Sequence, residues 1–354
     1  MKRVLLVAGS LPPMKCGIGD YTDCLARALG AAGAEVAVLT SEEAAAAAHP
    51  YEVLAVGRRW DWRDLPRVAR AMRRWRPDLV HVQYPTQAFA GRHFPWFLGL
   101  LARAMRLRLV QTWHEYVDGV MPAFLPPALA GGGVVAVRPR FRETLWPVVK
   151  WLTRRAEFRF IPGGSAIPLA KISDAERAAI RGRWTGERAL VVYFGFVYPA
   201  KGVEQVFDVV DERRHQLVLA CDLDPADRYQ HAILDRNAGR WPVTGFLPAP
   251  ELAKLLAAAD AVVMPFRDGG GSWNSSLHAA SRQGTFVLTT SRERRGYDAA
   301  ANVYFAEPGN IDEMRRALAE HAGTRGVAVE DDDWARAARE HLELYRAIAP
   351  EAFA

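Results

Sequence analysis

Gly17 and Gly19 stand in Pro12-Pro13-Met14-Lys15-Cys16-Gly17-Ile18-Gly19-Asp20-Tyr21, just ahead of an amphipathic helical pattern. Glycine lets backbone N–H groups approach an anion, and a helix N-terminus adds a favourable dipole. A simple tight turn is the plainer reading, and no third glycine follows at the spacing of a dinucleotide fingerprint. His114, in Thr112-Trp113-His114-Glu115-Tyr116, closes a strand-like run. An imidazole there can hold a sugar hydroxyl or donate to a developing negative oxygen; the alternative is a structural histidine. Lys201-Gly202 follows Tyr193-Phe194-Gly195 and opens a helix, which suits the lysine to neutralising a phosphate.

The fourth segment runs Met264-Pro265-Phe266-Arg267-Asp268-Gly269-Gly270-Gly271-Ser272-Trp273-Asn274-Ser275-Ser276 and joins a strand to a helix. Three consecutive glycines followed by small polar residues would form a diphosphate cradle of backbone amides, unless the stretch is a flexible surface loop. Other chemistries are excluded on pattern. The histidines show no metal-ligand spacing, no Gly-x-Ser-x-Gly elbow occurs, and no Walker lysine precedes Ser or Thr. Cys16, Cys24 and Cys221 are too few and too far apart for a disulfide framework or a cysteine metal site.

These residues need elements to position them. Val4–Ala8, Val36–Leu39, Leu79–Val82, Leu107–Gln111 and Val134–Val137 read as buried parallel strands. Between them Tyr21–Ala32, Leu65–Trp75 and Pro95–Met105 read as helices. The series then restarts. Leu190–Phe194, Leu217–Ala220, Ala261–Met264 and Phe286–Thr289 are strand-like, with helices near Val203–Glu212, Glu251–Ala259 and Ser275–Arg282. Alternating strands and helices make right-handed βαβ units, and ligands bind at the carboxyl ends of such strands. The Gly- and Pro-rich segment Ile161–Pro168 separates the series. The expected fold is α/β, with two Rossmann-like doubly wound domains facing across a cleft. The expected division is an N-terminal domain over 1–165, a C-terminal domain over 166–330, and a helix in 331–354 packing back toward the N-terminal domain.

At 354 residues, half of them apolar, the chain has room for two buried cores. No apolar run reaches bilayer-spanning length, and the signal-like start at Met1–Ala8 is too short to serve as one, so the expected location is cytoplasmic. Charge is uneven: residues 1–160 carry near +10 and the remainder near −4. Trp60, Trp62, Trp75 and Trp96 lie among Arg58, Arg59, Arg63, Arg70, Arg73, Arg74 and Arg76. That mixture could touch the inner face of an anionic membrane or a phosphorylated acceptor; it also fits a solvated helix face with arginine stems over apolar neighbours. No nucleic-acid-binding motif is present, so nucleic acid is not an expected partner.

In order and spacing, these segments resemble glycosyltransferase family 4, retaining enzymes of the GT-B fold that use nucleotide-diphosphate sugars. Pro77-Asp78-Leu79-Val80-His81-Val82-Gln83-Tyr84 matches the family's "PDlvHvqy" strand, Thr112–Glu115 its histidine loop and Ile161-Pro162-Gly163-Gly164-Ser165 its "iPnG" segment. Gly195 with Lys201-Gly202 matches "G…KG", and Leu255–Pro265 matches the "LLaaADvfvlPs" approach to the donor loop. The resemblance implies that Gly17 and Gly19 contact the donor diphosphate and sugar. It implies that His114 bonds the sugar near the reacting carbon. Lys201 would neutralise the leaving diphosphate, with Gly195, Gly270, Gly271, Ser272, Asn274, Ser275 and Ser276 completing the donor site. No metal or other cofactor is required on this reading.

Three departures stand out. Cys16 replaces the first glycine of the usual pair, and Phe196 the arginine that usually follows Gly195. The paired glutamates are missing, their positions falling at Ala279 and near Gly271. Asp268, the nearest carboxylate, is the expected substitute and joins His114 and Lys201 as a candidate catalytic residue. The expected reaction is transfer of a sugar from a UDP or GDP sugar to a hydroxyl on a small-molecule, glycan or lipid-linked acceptor. The alternatives are a catalytically silent sugar-nucleotide-binding or partner protein, and a pseudo-glycosyltransferase forming a C–N link.

Overall fold

The computed structural model describes residues 2–114, 121–271, 273–330 and 332–353. Among these, the first series contains β1 (Arg3–Val7), β2 (Glu35–Ser41), β3 (Glu52–Gly57), β4 (Leu79–Tyr84), β5 (Arg108–Trp113), β6 (Gly133–Ala136) and β7 (Glu157–Phe160). Its helices are α1 (Gly17–Ala31), α2 (Leu65–Trp75), α3 (Leu98–Ala104), α4 (Leu125–Ala130), α5 (Phe141–Thr144) and α6 (Pro147–Leu152). The second series holds β8 (Ala189–Phe194), β9 (His215–Ala220), β10 (Ala261–Met264), β11 (Val287–Thr290), β12 (Gly296–Asp298) and β13 (Val303–Ala306). With it run α7 (Asp174–Gly182), α8 (Val203–Val209), α9 (Arg228–Asn237), α10 (Ala249–Ala258), α11 (Ser275–Ser281) and α12 (Ile311–His321). α13 (Asp333–Ile348) and α14 (Pro350–Phe353) close the chain.

Two compact units result: Met1–Gly164 with Asp332–Ala354, and Ser165–Asp331. The first is built on a parallel sheet ordered β3-β2-β1-β4-β5-β6-β7. Its strand order reverses between β1 and β4. The second sheet is ordered β12-β13-β11-β10-β8-β9, parallel except for the edge strand β12, and reverses between β8 and β10. Apolar runs such as Leu190–Phe194 form central strands because helices cover both faces and leave no solvated side. In the first unit, α13 covers one face together with α1: Ala337, Ala338, Leu344 and Tyr345 are buried against Leu6, Leu25 and Leu29.

Several expectations change in detail. The helix expected over Pro95–Met105 splits into a 3-10 turn, Phe94–Phe97, and α3. Pro95 lacks a donor and sits in an aromatic run of modest helix propensity, so regular i→i−4 bonding begins only at Leu98. The helix expected over Val203–Glu212 stops at Val209, where the β-branched Val210 turns extended. Strands β3, β7, β12 and β13 add to those expected. The tryptophan-arginine mixture also separates: Trp60 and Trp75 are core residues, the indole N–H of Trp60 donating to Ser41 Oγ at 2.7 Å and that of Trp75 to Glu52 at 2.9 Å. Those two rings are therefore not available to a membrane.

Candidate functional site

Where strand order reverses in a doubly wound sheet, adjacent loops part and leave a crevice. In the second unit the switch point lies between the loops after β8 and β10, which are stitched together. Arg267 N–H donates to Ala200 O at 3.0 Å, and a Cβ on Gly202 would lie 2.1 Å from Pro265 O. With φ at +65° as well, position 202 admits only glycine. Lys201, half-buried, stands in the 3-10 turn Pro199–Lys201 immediately before α8, its ammonium 4.9 Å from the Phe266 ring centre and 5.4 Å from that of Tyr198. A cation held over two aromatic faces is oriented by them. Gly195 also takes a positive φ, +106°. The position where the family pattern has arginine is Phe196, which packs on Phe246 with ring centres 5.2 Å apart.

The glycine loop differs from the expected cradle. Gly269 N–H donates to Phe266 O at 3.2 Å, Gly270 N–H to Thr290 O at 2.7 Å, and Gly271 N–H to Asn274 Oδ1 at 2.9 Å. These three amides are taken by protein acceptors, two in the loop and one on β11, and are not available to a ligand. A Cβ at Gly270 would sit 2.5 Å from Phe266 and one at Gly271 2.2 Å from Trp273. Close aromatic packing thus requires glycine at both positions. Asn274 is the N-cap of α11, and Ser275 and Ser276 open that helix. Ser272 lies outside the described residues. Asp268 is exposed and its carboxylate accepts from Arg292 at 2.9 Å, so its charge is already compensated. Arg267 in turn pairs with Glu204 at 2.7 Å.

In the first unit the loops after β1 and β4 meet through Gly9 N–H, which donates to Thr86 Oγ1 at 3.1 Å. Beyond that loop α1 begins at Gly17. Its N-cap, Cys16, offers no side-chain acceptor, so the first-turn amides, Gly17 and Gly19 among them, have no cap from that residue. Gly19 packs close to the loop after β1; a Cβ there would be 3.1 Å from Ser10 O. His114 follows β5 and is buried, its ring 4.7 Å from that of Tyr21 in an edge-on contact. Its Nε2 bonds Gln83 Oε1 at 2.8 Å, and burial lowers its pKa to about 3. The imidazole is therefore neutral, with Nε2–H donating to Gln83 and Nδ1 left as an acceptor.

Three residues of this neighbourhood escaped sequence reasoning. Gln83 is the partner of His114; the signal was a polar residue in a strand otherwise fit for complete burial. Tyr21 packs on His114 while its own hydroxyl is buried with no hydrogen-bond partner among the described residues. Asp20, in the first turn of α1, has a carboxyl pushed up to about 6, by burial first and by the charge of Asp23 second. Behind them, His81 Nδ1 meets the Tyr345 hydroxyl at 2.6 Å and His81 Nε2 meets Thr112 Oγ1 at 2.7 Å.

Two doubly wound units, each with a loop-lined switch point, define a GT-B protein. The chain belongs to the glycosyl transferase 4-like domain family, whose pattern residues 16–194 match. Its fold is similar to sucrose-phosphate synthase from Thermosynechococcus elongatus, at 17% identity and a TM-score of 0.69 over 99% of this chain and 97% of that one. HepE from Anabaena, crystallised with UDP and glucose, is 15% identical with a TM-score of 0.68, covering 99% of each chain. The catalytic domain of starch synthase IV from Arabidopsis thaliana, bound to ADP and acarbose, is 14% identical with a TM-score of 0.69, again over 99% of each. Among curated proteins no sequence matches the chain.

Proposed function

We propose that the protein is a retaining glycosyltransferase that moves a sugar from a nucleotide-diphosphate sugar to a hydroxyl acceptor, in the cytoplasm. The observation that carries this reading is Lys201 at the β8/β10 switch point, a cation oriented by Phe266 and Tyr198 where doubly wound sheets bind phosphates. The bond from the anomeric carbon to the diphosphate breaks as the acceptor oxygen bonds to the same face. The acceptor's proton passes to the departing phosphate oxygen. Lys201 stabilises the charge that develops on that leaving group, and His114 Nδ1 accepts from a sugar hydroxyl. UDP and ADP bound to two proteins of similar fold support a nucleoside diphosphate as the ligand class.

A silent binding protein is the second reading, favoured by Phe196 at the arginine position, Ala279 at a glutamate position and glycine amides already bonded to protein acceptors. Thermal unfolding with saturating UDP, GDP, ADP, dTDP and CDP, followed by a donor-hydrolysis assay, separates the two. A nucleotide at about 100 times its Kd stabilises the protein by roughly 2.7 kcal/mol. A shift with turnover supports the transferase; a shift without turnover supports the silent binder. No shift with any nucleotide refutes the transferase and leaves a silent protein that binds a partner instead.

A further inference from the structure

Besides Trp62, two exposed tryptophans of the first unit, Trp146 and Trp151, lie away from the arginine-rich segment of residues 58–76. Trp146, Val148 and Trp151 are 43%, 45% and 59% exposed, while Val149 between them is fully buried. α6 therefore turns Val149 into the core and presents Val148 and Trp151, three residues apart, on its outer face, with Trp146 at its N-cap. Leu129, 60% exposed, lies on α4, the helix packed against α6. Two indoles and two aliphatic side chains in water on adjacent short helices are costly unless something covers them.

The surrounding charge indicates what. Residues 142–155 hold Arg142, Lys150, Arg154 and Arg155 against a single acid, Glu143. Lys150 Nζ donates to Glu143 O at 2.7 Å and Arg154 Nη1 to Trp151 O at 2.8 Å. Both acceptors are neutral carbonyls, so neither positive charge is cancelled by that bond. The Arg154 guanidinium also lies 4.2 Å from the Trp151 ring centre, joining base and indole into one amphipathic unit. Tryptophan prefers the headgroup layer of a bilayer, and arginine beside it meets anionic lipid phosphates. No helix among the described residues is long and apolar enough to cross a membrane, so contact here would be peripheral.

We propose that α6 and its flanks dock the protein onto an anionic lipid surface, Trp146 and Trp151 entering the headgroup layer and Arg154 and Arg155 pairing with phosphates. This surface stands independently of the transferase reading. The test is co-sedimentation of the full-length protein with vesicles of phosphatidylcholine alone or with about 30 mol% phosphatidylglycerol added. Binding is expected at least about tenfold tighter to the anionic vesicles, weakening as salt rises, because each base near such a surface contributes roughly fivefold. W146S/W151S should weaken it about tenfold and R154Q/R155Q about twentyfold, with unchanged melting temperatures because all four side chains are outside the core. Trp62→Ser, at an indole 53% exposed but outside α6 and its flanks, should change it less than twofold. No preference for anionic vesicles, or equal binding by W146S/W151S, overturns the proposal. So does a wild-type dimer that W146S/W151S renders monomeric without any lipid binding, since the face would then serve a second copy.

Discussion

His114 shares the first unit with two other histidines that burial keeps neutral. His341 is lowered to about 4 and His81 well below its ordinary value, in each case chiefly because a buried imidazolium would lose its hydration. The folded state therefore binds fewer protons than the unfolded chain between the unfolded value of about 6.5 and these lowered values. Their stabilising effect is complete above pH 6.5 and is lost as pH falls. Each histidine contributes a slope approaching 1.4 kcal/mol per pH unit. Asp20 acts in the opposite sense: with its carboxyl raised to about 6, it stabilises below pH 3.8 and loses that effect as pH rises through 6. The sum predicts that urea stability falls as the pH is lowered from 6.5 to 4.5. His341→Phe, whose Nε2 has no partner among the described residues, should flatten that limb by somewhat under half, because Asp20 already offsets part of the slope, while costing under about 1.5 kcal/mol at pH 7.5. An unchanged slope in the variant would remove His341 from the account. At the second site, Lys201→Ala should cut turnover by about 10- to 100-fold while lowering the melting temperature by only a few degrees, since the side chain is half-buried and lies outside the hydrophobic cores. Equal loss of both would refute its assigned role.

Elements hold these residues in place through a few specific contacts. α13 is fastened to the sheet by the Tyr345 hydroxyl, which is hydrogen-bonded to His81 Nδ1, while His81 Nε2 is hydrogen-bonded to Thr112 Oγ1. Tyr345→Phe leaves a buried nitrogen unpaired and should cost about 1–3 kcal/mol in urea unfolding, with little effect on nucleotide binding in the other unit. Gly202→Ala is the converse case. Its methyl would collide with the backbone at Pro265 in a left-handed conformation, forcing the loops after β8 and β10 apart. Loss of nucleotide-induced stabilisation, along with about 1–2 kcal/mol of stability, is the expected result. A variant that still shows the wild-type nucleotide shift would mean that the stitched loops do not form the phosphate site.

For the whole molecule, the two units differ in how their cores are made. Both cores of the second unit draw only on residues between Ile167 and Ala322. One core of the first unit instead recruits Leu344, Tyr345 and Phe353 from the end of the chain. At about 1.5–3 kcal/mol per large buried side chain, those three alone are comparable with the 5–15 kcal/mol that stabilises a typical domain. A fragment spanning 165–331 should therefore unfold cooperatively on its own, whereas 1–164 should not unless a 332–354 peptide is added. Circular dichroism melts of the three samples decide it; cooperative melting of 1–164 alone would show that the C-terminal helices are dispensable.

Much of this architecture was legible from local pattern. Buried parallel strands are largely apolar, so β1, β8 and β10 announce themselves, whereas the switch points depend on the spatial strand order that folding sets. The edge strands were harder to read. Glu157-Phe158-Arg159-Phe160 alternates polar and apolar residues, and β12 is only three residues long, so pairing with a neighbour rather than intrinsic pattern makes them strands. Lys201 and His114 could be selected as candidates because the positions after strands are set by chain order. What those side chains do there could not be read in the same way. Gln83 reaches His114 from 31 residues away, and Thr290 takes the Gly270 amide that a phosphate cradle would have needed. Sequence composition likewise placed tryptophans beside arginines without saying which rings face water. That choice is made by packing: Trp60 and Trp75 find partners in Ser41 and Glu52, while Trp146 and Trp151 are left on the outside of α6. Strand order and helix periodicity are properties of the chain; hydrogen-bond partnership and exposure depend on which distant residues folding brings within about 3 Å.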